Sequence, residues 1–392
     1  MNSIFIYKKI NGEVIITGLQ EGVAETAIEI PETIENMPVV EIGPKAFEFS
    51  TITDIKIGIN IRKIEKEAFA HCRKLNSVTW NCKCNAIPDK CFYRCTELKK
   101  FDFTATKRVG QYAFGESGLQ EVYIPQNIEM IGDGAFNICS ELHSVTWNGT
   151  CDVIPTSCFY LCSNLKSFNF SAIKKVGQYA FGESGLQEVR LPKNIESILE
   201  GAFYVCSELQ FVEWNCKCDV IPADCFFGCS NLMQFDFSGV KKVRERAFSE
   251  SGLKEVCLTE NTEVVSKKAF SCCKILRTVI WNCKCNVIPV ECFVRCSNLT
   301  KFDFSSVKRI EAYAFWRSGL TSVTLSKKTE VDQNCFAYCN DLEKIEWLSD
   351  QNIEGDIFEE CQNIKEIIIS DNVMNIAVDA FASSPNAEIS FI

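Results

Sequence analysis

Cysteine is the residue type whose number and spacing most suggest chemistry in this chain, which carries 24 of them in 392 residues. Cys82-x-Cys84 and Cys91-x-x-x-Cys95 recur as Cys216, Cys218, Cys225 and Cys229, and again as Cys283, Cys285, Cys292 and Cys296. Thiolates so spaced could close tetrahedral zinc sites or pair as disulfides. Against an obligatory ligand set, the intervening copy has Gly149 where its first thiol should stand. A second account needs no metal. Aligned on a recurring phenylalanine, Cys84, Cys151, Cys218 and Cys285 stand eight residues before it. Cys91, Cys158, Cys225, Cys292 and Cys335 stand immediately before it. Cys72, Cys95, Cys139, Cys162, Cys206, Cys229, Cys273, Cys296, Cys339 and Cys361 stand three after it, where every third unit has serine. Small buried positions suit cysteine as a compact hydrophobe, and a stacked Cys/Ser row could satisfy loop backbone groups. The expectation is buried free thiols, no metal and no cofactor, in a reducing compartment. Cys257, on an outward strand position between Val256 and Leu258, is the thiol expected to react first.

Other catalytic groups are sparse. The two histidines, His71 and His143, fall in units three apart, which at about 4.8 Å per strand separates them too far for one site. There is no Gly-x-x-x-x-Gly-Lys, no Gly-x-Ser-x-Gly and no His-Glu-x-x-His. This pattern argues against an enzyme. A net charge of −10 and a pI near 5.1 disfavour nucleic acid as a partner. The start, Met1 to Lys9, meets charge too early for a signal peptide, and no apolar run approaches the ~18–20 residues of a membrane span. The localisation read from this is cytoplasmic, with the cell surface by an unconventional route as the alternative.

Surface residues then carry the functional expectation. The solvent-facing strand position reads Asp102, Tyr123, Asn169, Arg190, Glu213, Asp236, Ile280, Asp303 and Glu346 along the repeats, with Thr79, Thr146, Cys257 and Thr324 between them. Its acidic bias, with Tyr123 and Ile280 as apolar points, suits a protein partner bearing a basic segment. A second row, Lys107-Arg108, Lys174-Lys175, Lys241-Lys242 and Lys308-Arg309, reads as a solvated loop edge. Asn148-Gly-Thr, Asn169-Phe-Ser and Asn298-Leu-Thr match the glycan acceptor pattern and are taken as coincidence.

The elements that must position these residues follow from one period. Sixteen phenylalanines, from Phe47 and Phe69 to Phe358 and Phe381, are spaced 21 to 23 residues apart. Units so short bury their apolar face only against their neighbours, which predicts a solenoid. Isoleucine or valine stands five before each Phe, from Ile42 to Ile376. Alternating segments such as Leu75 to Trp80, Leu98 to Phe103 and Leu119 to Ile124 predict one strand per coil in a parallel sheet. A short helical turn or tight bend is expected around Ala-Phe, because about 22 residues leave no room for a long helix. Phe69, Phe136, Phe203 and Phe270 are 67 apart, and Val109–Val122 is identical to Val176–Val189, so the unit of duplication is a triplet of coils. Residues 1–40, with Asn11-Gly12 at a turn, are expected to form a capping hairpin, and 41–392 an array of about sixteen coils.

Ile64-Glu-Lys-Glu-Ala-Phe69-Ala-His-Cys72-Arg-Lys-Leu75, Ile131 to Cys139, and the steps Ile124-Pro125 and Leu191-Pro192 resemble the BspA-type leucine-rich repeat family from about residue 30 onward. The resemblance implies a leucine-rich-repeat solenoid, with a parallel β-sheet on one face and short helical turns or loops on the other. Its members include bacterial surface adhesins and protist proteins, both surface and intracellular. Trp-Asn-Cys-Lys-Cys at Trp80, Trp214 and Trp281 departs from the family pattern and suggests a separate branch. The functional expectation is a non-enzymatic scaffold binding a protein partner along its sheet face. The alternatives are a surface adhesin and a regulatory subunit of a protein phosphatase, the latter because Arg277-Thr-Val-Ile-Trp281 resembles a docking pattern.

Overall fold

A computed structural model describes residues 3–392. The chain divides into two compact units, Met1–Ser197 and Ile198–Ile392. Each is a parallel-strand solenoid of the same coil.

The first unit opens with an antiparallel hairpin, Phe5–Ile10 against Glu13–Leu19. Its turn residues Asn11 and Gly12 both have positive φ, 52° and 78°, as a two-residue hairpin requires. The second strand of the hairpin runs parallel to Met37–Ile42, which runs parallel to Lys63–Ile64. Phe5 is thereby buried edge-on against Phe47, with ring centroids 6.4 Å apart.

A coil has three sides. One is a strand of three or four residues, as in the parallel set Ala27–Glu29, Asp54–Ile57 and Ser77–Trp80 of the first unit. In the second unit Ser322–Leu325, Lys344–Trp347, Glu366–Ile369 and Glu388–Phe391 form a parallel set of four. A second side is a two-residue strand carrying the Ile or Val five before the Phe, for example Ala86–Ile87, Arg108–Val109 and Met130–Ile131. That Ile or Val points inward while its neighbour, Arg108 or Met130, stays outside.

The third side is the Ala-Phe stretch, and no helix occurs there or elsewhere among the described residues. Amide directions alternate instead. In the coil of Phe114, the N–H groups of Tyr112, Phe114 and Glu116 donate to Asp133, Ala135 and Asn137 of the next coil, at 3.0, 2.9 and 2.8 Å. Those of Ala113, Gly115 and Ser117 donate three residues back, at 3.3, 3.0 and 3.1 Å. Tyr112 and Glu116 take φ of 52° and 54°, the left-handed third residue of a type II turn. Arg246 and Glu250 repeat this in the second unit at 53° and 59°. A helix would turn every amide along its own axis and leave the coil-to-coil ladder unmade, so of the expected helical turn or tight bend it is the tight bend that forms, as paired β-turns.

Within each unit the Phe rings stack. Phe47, Phe69 and Phe92 lie 5.2 and 5.4 Å apart at 7° and 8°, and Phe248, Phe270 and Phe293 lie 5.8 Å apart at 14° and 8°. Cysteine sulfurs three after the Phe donate to the carbonyl of the preceding coil's Phe: Cys72 to Phe47 at 2.9 Å, Cys139 to Phe114 at 3.1 Å, Cys273 to Phe248 at 3.1 Å. The Cys/Ser row therefore satisfies turn carbonyls, as expected. Burial pushes the Cys72 and Cys139 thiols up to about 11 and that of Cys273 to about 12. At the far end of the second unit Ile389 and Phe391 occupy strand positions but are exposed, and Phe381 is only half-buried.

Two further expectations need correction. The Phe-Asp-Phe and Phe-Asn-Phe segments, 101–103, 168–170, 235–237 and 302–304, are not strands. Their middle residue accepts from the N–H two residues on: Thr104 to Asp102, Ser171 to Asn169, Ser238 to Asp236 and Ser305 to Asp303, at 2.9–3.0 Å. This Asx turn competes with the ladder and breaks the sheet at every third coil. Nor are all thiols core thiols. Cys151, Cys216, Cys218, Cys257 and Cys272 are only half-buried, and Cys283 is bonded to Cys285.

Candidate partner-binding face

The nine residues expected to face a partner are outward, but they do not form one strip. In the first unit, Tyr123 lies in the strand Glu121–Ile124 with its ring 53% exposed, and Arg190 lies in Glu188–Leu191, paired with Glu188 at 2.9 Å. Asp102 and Asn169 sit in the breaks. In the second unit, Glu213 lies in Phe211–Trp214, Ile280 in Thr278–Trp281 and Glu346 in Lys344–Trp347, while Asp236 and Asp303 again sit in breaks.

Their charges are largely engaged within the chain. Lys344 at 3.1 Å and then the Thr324 hydroxyl at 2.9 Å hold the Glu346 carboxyl below the usual range. The Ser305 amide does the same for Asp303. Asp236→Lys is therefore expected to cost about 1 kcal/mol through loss of an acceptor for Ser238. Asp236→Asn, the residue the duplicated coil has at Asn169, should hold stability. Equal urea unfolding of the two variants would remove the cap from the account.

Four of the eight cations of the basic row pair with acidic neighbours: Lys107 with Glu129 at 3.0 Å, Lys174 with Asp152 at 3.0 Å, Lys241 with Asp219 at 2.9 Å, and Arg309 with Glu330 and Asp332 at 3.2 and 3.0 Å. Exposed pairs of this kind add little stability, yet they leave no uniform positive stripe. His71 stacks on Phe49 at 4.4 Å and meets Tyr93 edge-on, and burial lowers its basicity. Val279 and Trp281 are buried in their strand, so the docking-like pattern at Arg277 is not presented to a partner. Among the described residues, no group of three or more His, Cys, Asp or Glu could hold a metal ion.

The sheet break around Asp236 has a consequence the sequence reading missed. With 235–237 withdrawn from the ladder, a groove of about 710 Å³ opens in the second unit, lined by Phe211, Met233, Asp236 and Glu255 among others. Phe211 is 45% exposed and Met233 43%. A signal for both was present. Positions equivalent to Phe211 in the triplet repeat are Ser77, Ser144 and Thr278, and those equivalent to Met233 are Lys99, Lys166 and Thr300. Apolar residues have replaced polar ones on the outside of one triplet alone.

A model of the BspA type leucine rich repeat region matches in several copies, over residues 24–143, 86–210, 152–277, 219–343 and 329–391. A leucine-rich repeat protein from Bacteroides ovatus ATCC 8483 is similar over 100% of this chain and 99% of its own, with a TM-score of 0.62 and 21% identity. A T. pallidum leucine rich repeat protein is 28% identical over 46% of this chain and 86% of its own, at a TM-score of 0.41. A leucine rich cell surface protein from Faecalibacterium prausnitzii A2-165 covers 100% of this chain and 94% of its own, at 18% identity and a TM-score of 0.49. Comparison with curated proteins returned no match.

Proposed function

Because this chain belongs to the BspA-type leucine-rich repeat family, we propose that it is a non-enzymatic scaffold that binds a protein partner through a basic segment along its sheet face. The reading as a scaffold rests on the repeat architecture, which offers extended surface rather than an enclosed pocket. The observation that carries the binding site is the groove at the Asp236 break. It sets the exposed apolar side chains Phe211 and Met233 beside the carboxylates of Asp236 and Glu255. An apolar centre with an acidic rim suits a segment that presents an aliphatic or aromatic residue flanked by Lys or Arg. In the second unit Glu213, Ile280, Asp303 and Glu346, and in the first Asp102, Tyr123, Asn169 and Arg190, are proposed as further partner-contacting residues. The buried free thiols suit a reducing, cytoplasmic setting.

The test begins with the partner recovered by affinity capture with the wild-type chain. Its affinity is then measured against Met233→Lys, which restores the residue at the equivalent positions Lys99 and Lys166, combined with Glu255→Lys. Binding is expected to weaken at least about a hundredfold, because an apolar anchor is lost and a charge reversed. Reversal of Lys174, Lys175, Lys241 and Lys242 should leave it unchanged. The opposite ranking would move the interface to the loop edge.

A further inference from the structure

We propose that the turns Cys82-Lys-Cys84, Cys216-Lys-Cys218 and Cys283-Lys-Cys285 are dithiol–disulfide sites that exchange with low-molecular-weight disulfides. They are set apart from the other cysteines by pairing within one turn; the turn at Cys151 has the same tryptophan bond, at 2.8 Å, but one thiol. Each pair follows a strand-end tryptophan whose indole N–H donates to the carbonyl of the second cysteine: Trp80 to Cys84 at 3.4 Å, Trp214 to Cys218 at 2.8 Å, Trp281 to Cys285 at 3.0 Å. This clamp folds the turn back and brings the two sulfurs together. Cys283 and Cys285 are bonded, with Cα atoms 5.2 Å apart. The same Cys-Lys-Cys turn recurs at Cys82 and Cys84 and at Cys216 and Cys218, where each thiol shifts the titration of the other.

Access differs from that of the core thiols. Cys216, Cys218, Cys283 and Cys285 are half-buried, whereas Cys91, Cys225 and Cys292 are fully buried. A groove of about 680 Å³ reaches Cys283, lined also by Cys257, Glu260 and Asn282. The central residue, Lys83, Lys217 or Lys284, is exposed and places a positive charge beside the pair. A neighbouring S–H lowers the thiol of Cys82 and likewise that of Cys218, while core thiols such as Cys225 are raised by burial.

The step balances without a metal. The thiolate of one cysteine attacks a sulfur of the small disulfide, whose S–S bond breaks and releases one thiolate. The second cysteine, after losing its proton, displaces the other half from the mixed disulfide. Two electrons pass from the pair to the small disulfide, which departs as two thiols, and the protein gains one S–S bond. Holding the second sulfur beside the first makes ring closure intramolecular and fast relative to trapping of the mixed form.

The experiment treats fully reduced protein with oxidised glutathione, blocks remaining thiols with N-ethylmaleimide and maps peptides by mass. Intrapeptide disulfides are expected at 216/218 and 283/285 first and at 82/84 more slowly, since Cys82 and Cys84 are 7% and 6% exposed. Cys225 and Cys292 should react at least about tenfold more slowly. Circular dichroism should not change, and reduced glutathione should reverse the reaction. In Cys216→Ser the reaction should stop with glutathione retained on Cys218, as at the natural single thiol Cys151, whose turn has Gly149. Mixed disulfides persisting on the wild-type pairs would overturn the proposal. So would pair oxidation no faster than that of the core thiols, or oxidation only with loss of the fold.

Discussion

Phe270→Ala should lower the stability of the second unit by about 3–5 kcal/mol, the range for deleting a fully buried aromatic ring. Phe270 has no solvent exposure. It lies between Phe248 and Phe293, each 5.8 Å away, and takes the edge of Phe237 at 6.0 Å. Its backbone N–H donates to Cys292 at 3.2 Å and is untouched by the change, so the loss is one of packing. The neighbouring rings cannot close over the gap, because each is fixed in its own coil by the amide ladder at the coil spacing. A cavity therefore remains, and its lining loses contacts outright. Phe381→Ala, at a half-buried position stacked on Phe358 alone, should cost markedly less. Urea unfolding of the two variants measures the difference. A loss below about 1 kcal/mol at Phe270 would remove the ring column from the core.

The repeat was legible because its determinants are one-dimensional. A Phe every 21 to 23 residues, an Ile or Val five before it and a Cys or Ser three after it each occupy one row of the coil, and each row is buried except at the ends, at Ser50, Ile376 and Phe381. The turn chemistry was not legible in the same way. Most left-handed positions hold residues such as Tyr112, Glu116, Arg246 and Glu250, and only a few, as at Gly134, Gly201, Gly228 and Asn334, hold the glycine or asparagine that normally marks such a turn. What holds them there is a hydrogen bond to the next coil, which a local reading cannot see. Phe-Asp-Phe misled for the converse reason. Its alternation reads as a strand, but the aspartate's own oxygen reaches the amide two residues on before the ladder can. Both phenylalanines still point inward, as expected: Phe235 lies 5.0 Å from Phe248, and Phe237 lies 5.3 Å from it. The groove at Phe211 and Met233 depends on that break, so its residues could be flagged from the repeat only as exceptions.

Gly252→Ala should destabilise and Gly239→Ala should not, although both glycines lie in the second unit and gain one methyl group. Gly252 follows Ser251 in the coil type whose Leu stands five rather than six residues after the Phe, as Leu253 does after Phe248. The shortened loop draws its backbone against the preceding coil, where the Gly252 N–H donates to Cys229 at 3.1 Å. A Cβ there would sit 2.0 Å from the Ser230 carbonyl oxygen and 2.8 Å from its carbon, atoms held by backbone and unable to step aside. The same clash recurs at Gly185 against Ser163 in the first unit, at 1.9 Å. Relief requires the two coils to part. That stretches the bond from the Gly252 N–H to Cys229 and those from Phe226 to Ala247 and from Gly228 to Ser249, both 2.8 Å. Overpacking of this kind costs typically about 1–3 kcal/mol, and a rigid backbone partner places the expected value at the upper end. Gly239 has nothing within 4 Å of its added Cβ, so alanine there should be neutral or stabilise by about 0.4–1 kcal/mol by restricting the unfolded chain. The variants should also differ at a distance from the mutation. Cys229, in the preceding coil and fully buried in the wild type, should become open to alkylation under native conditions in Gly252→Ala and stay protected in Gly239→Ala. Equal melting and equal protection in the two variants would mean that neighbouring coils do not meet as closely as the Gly252 contact requires.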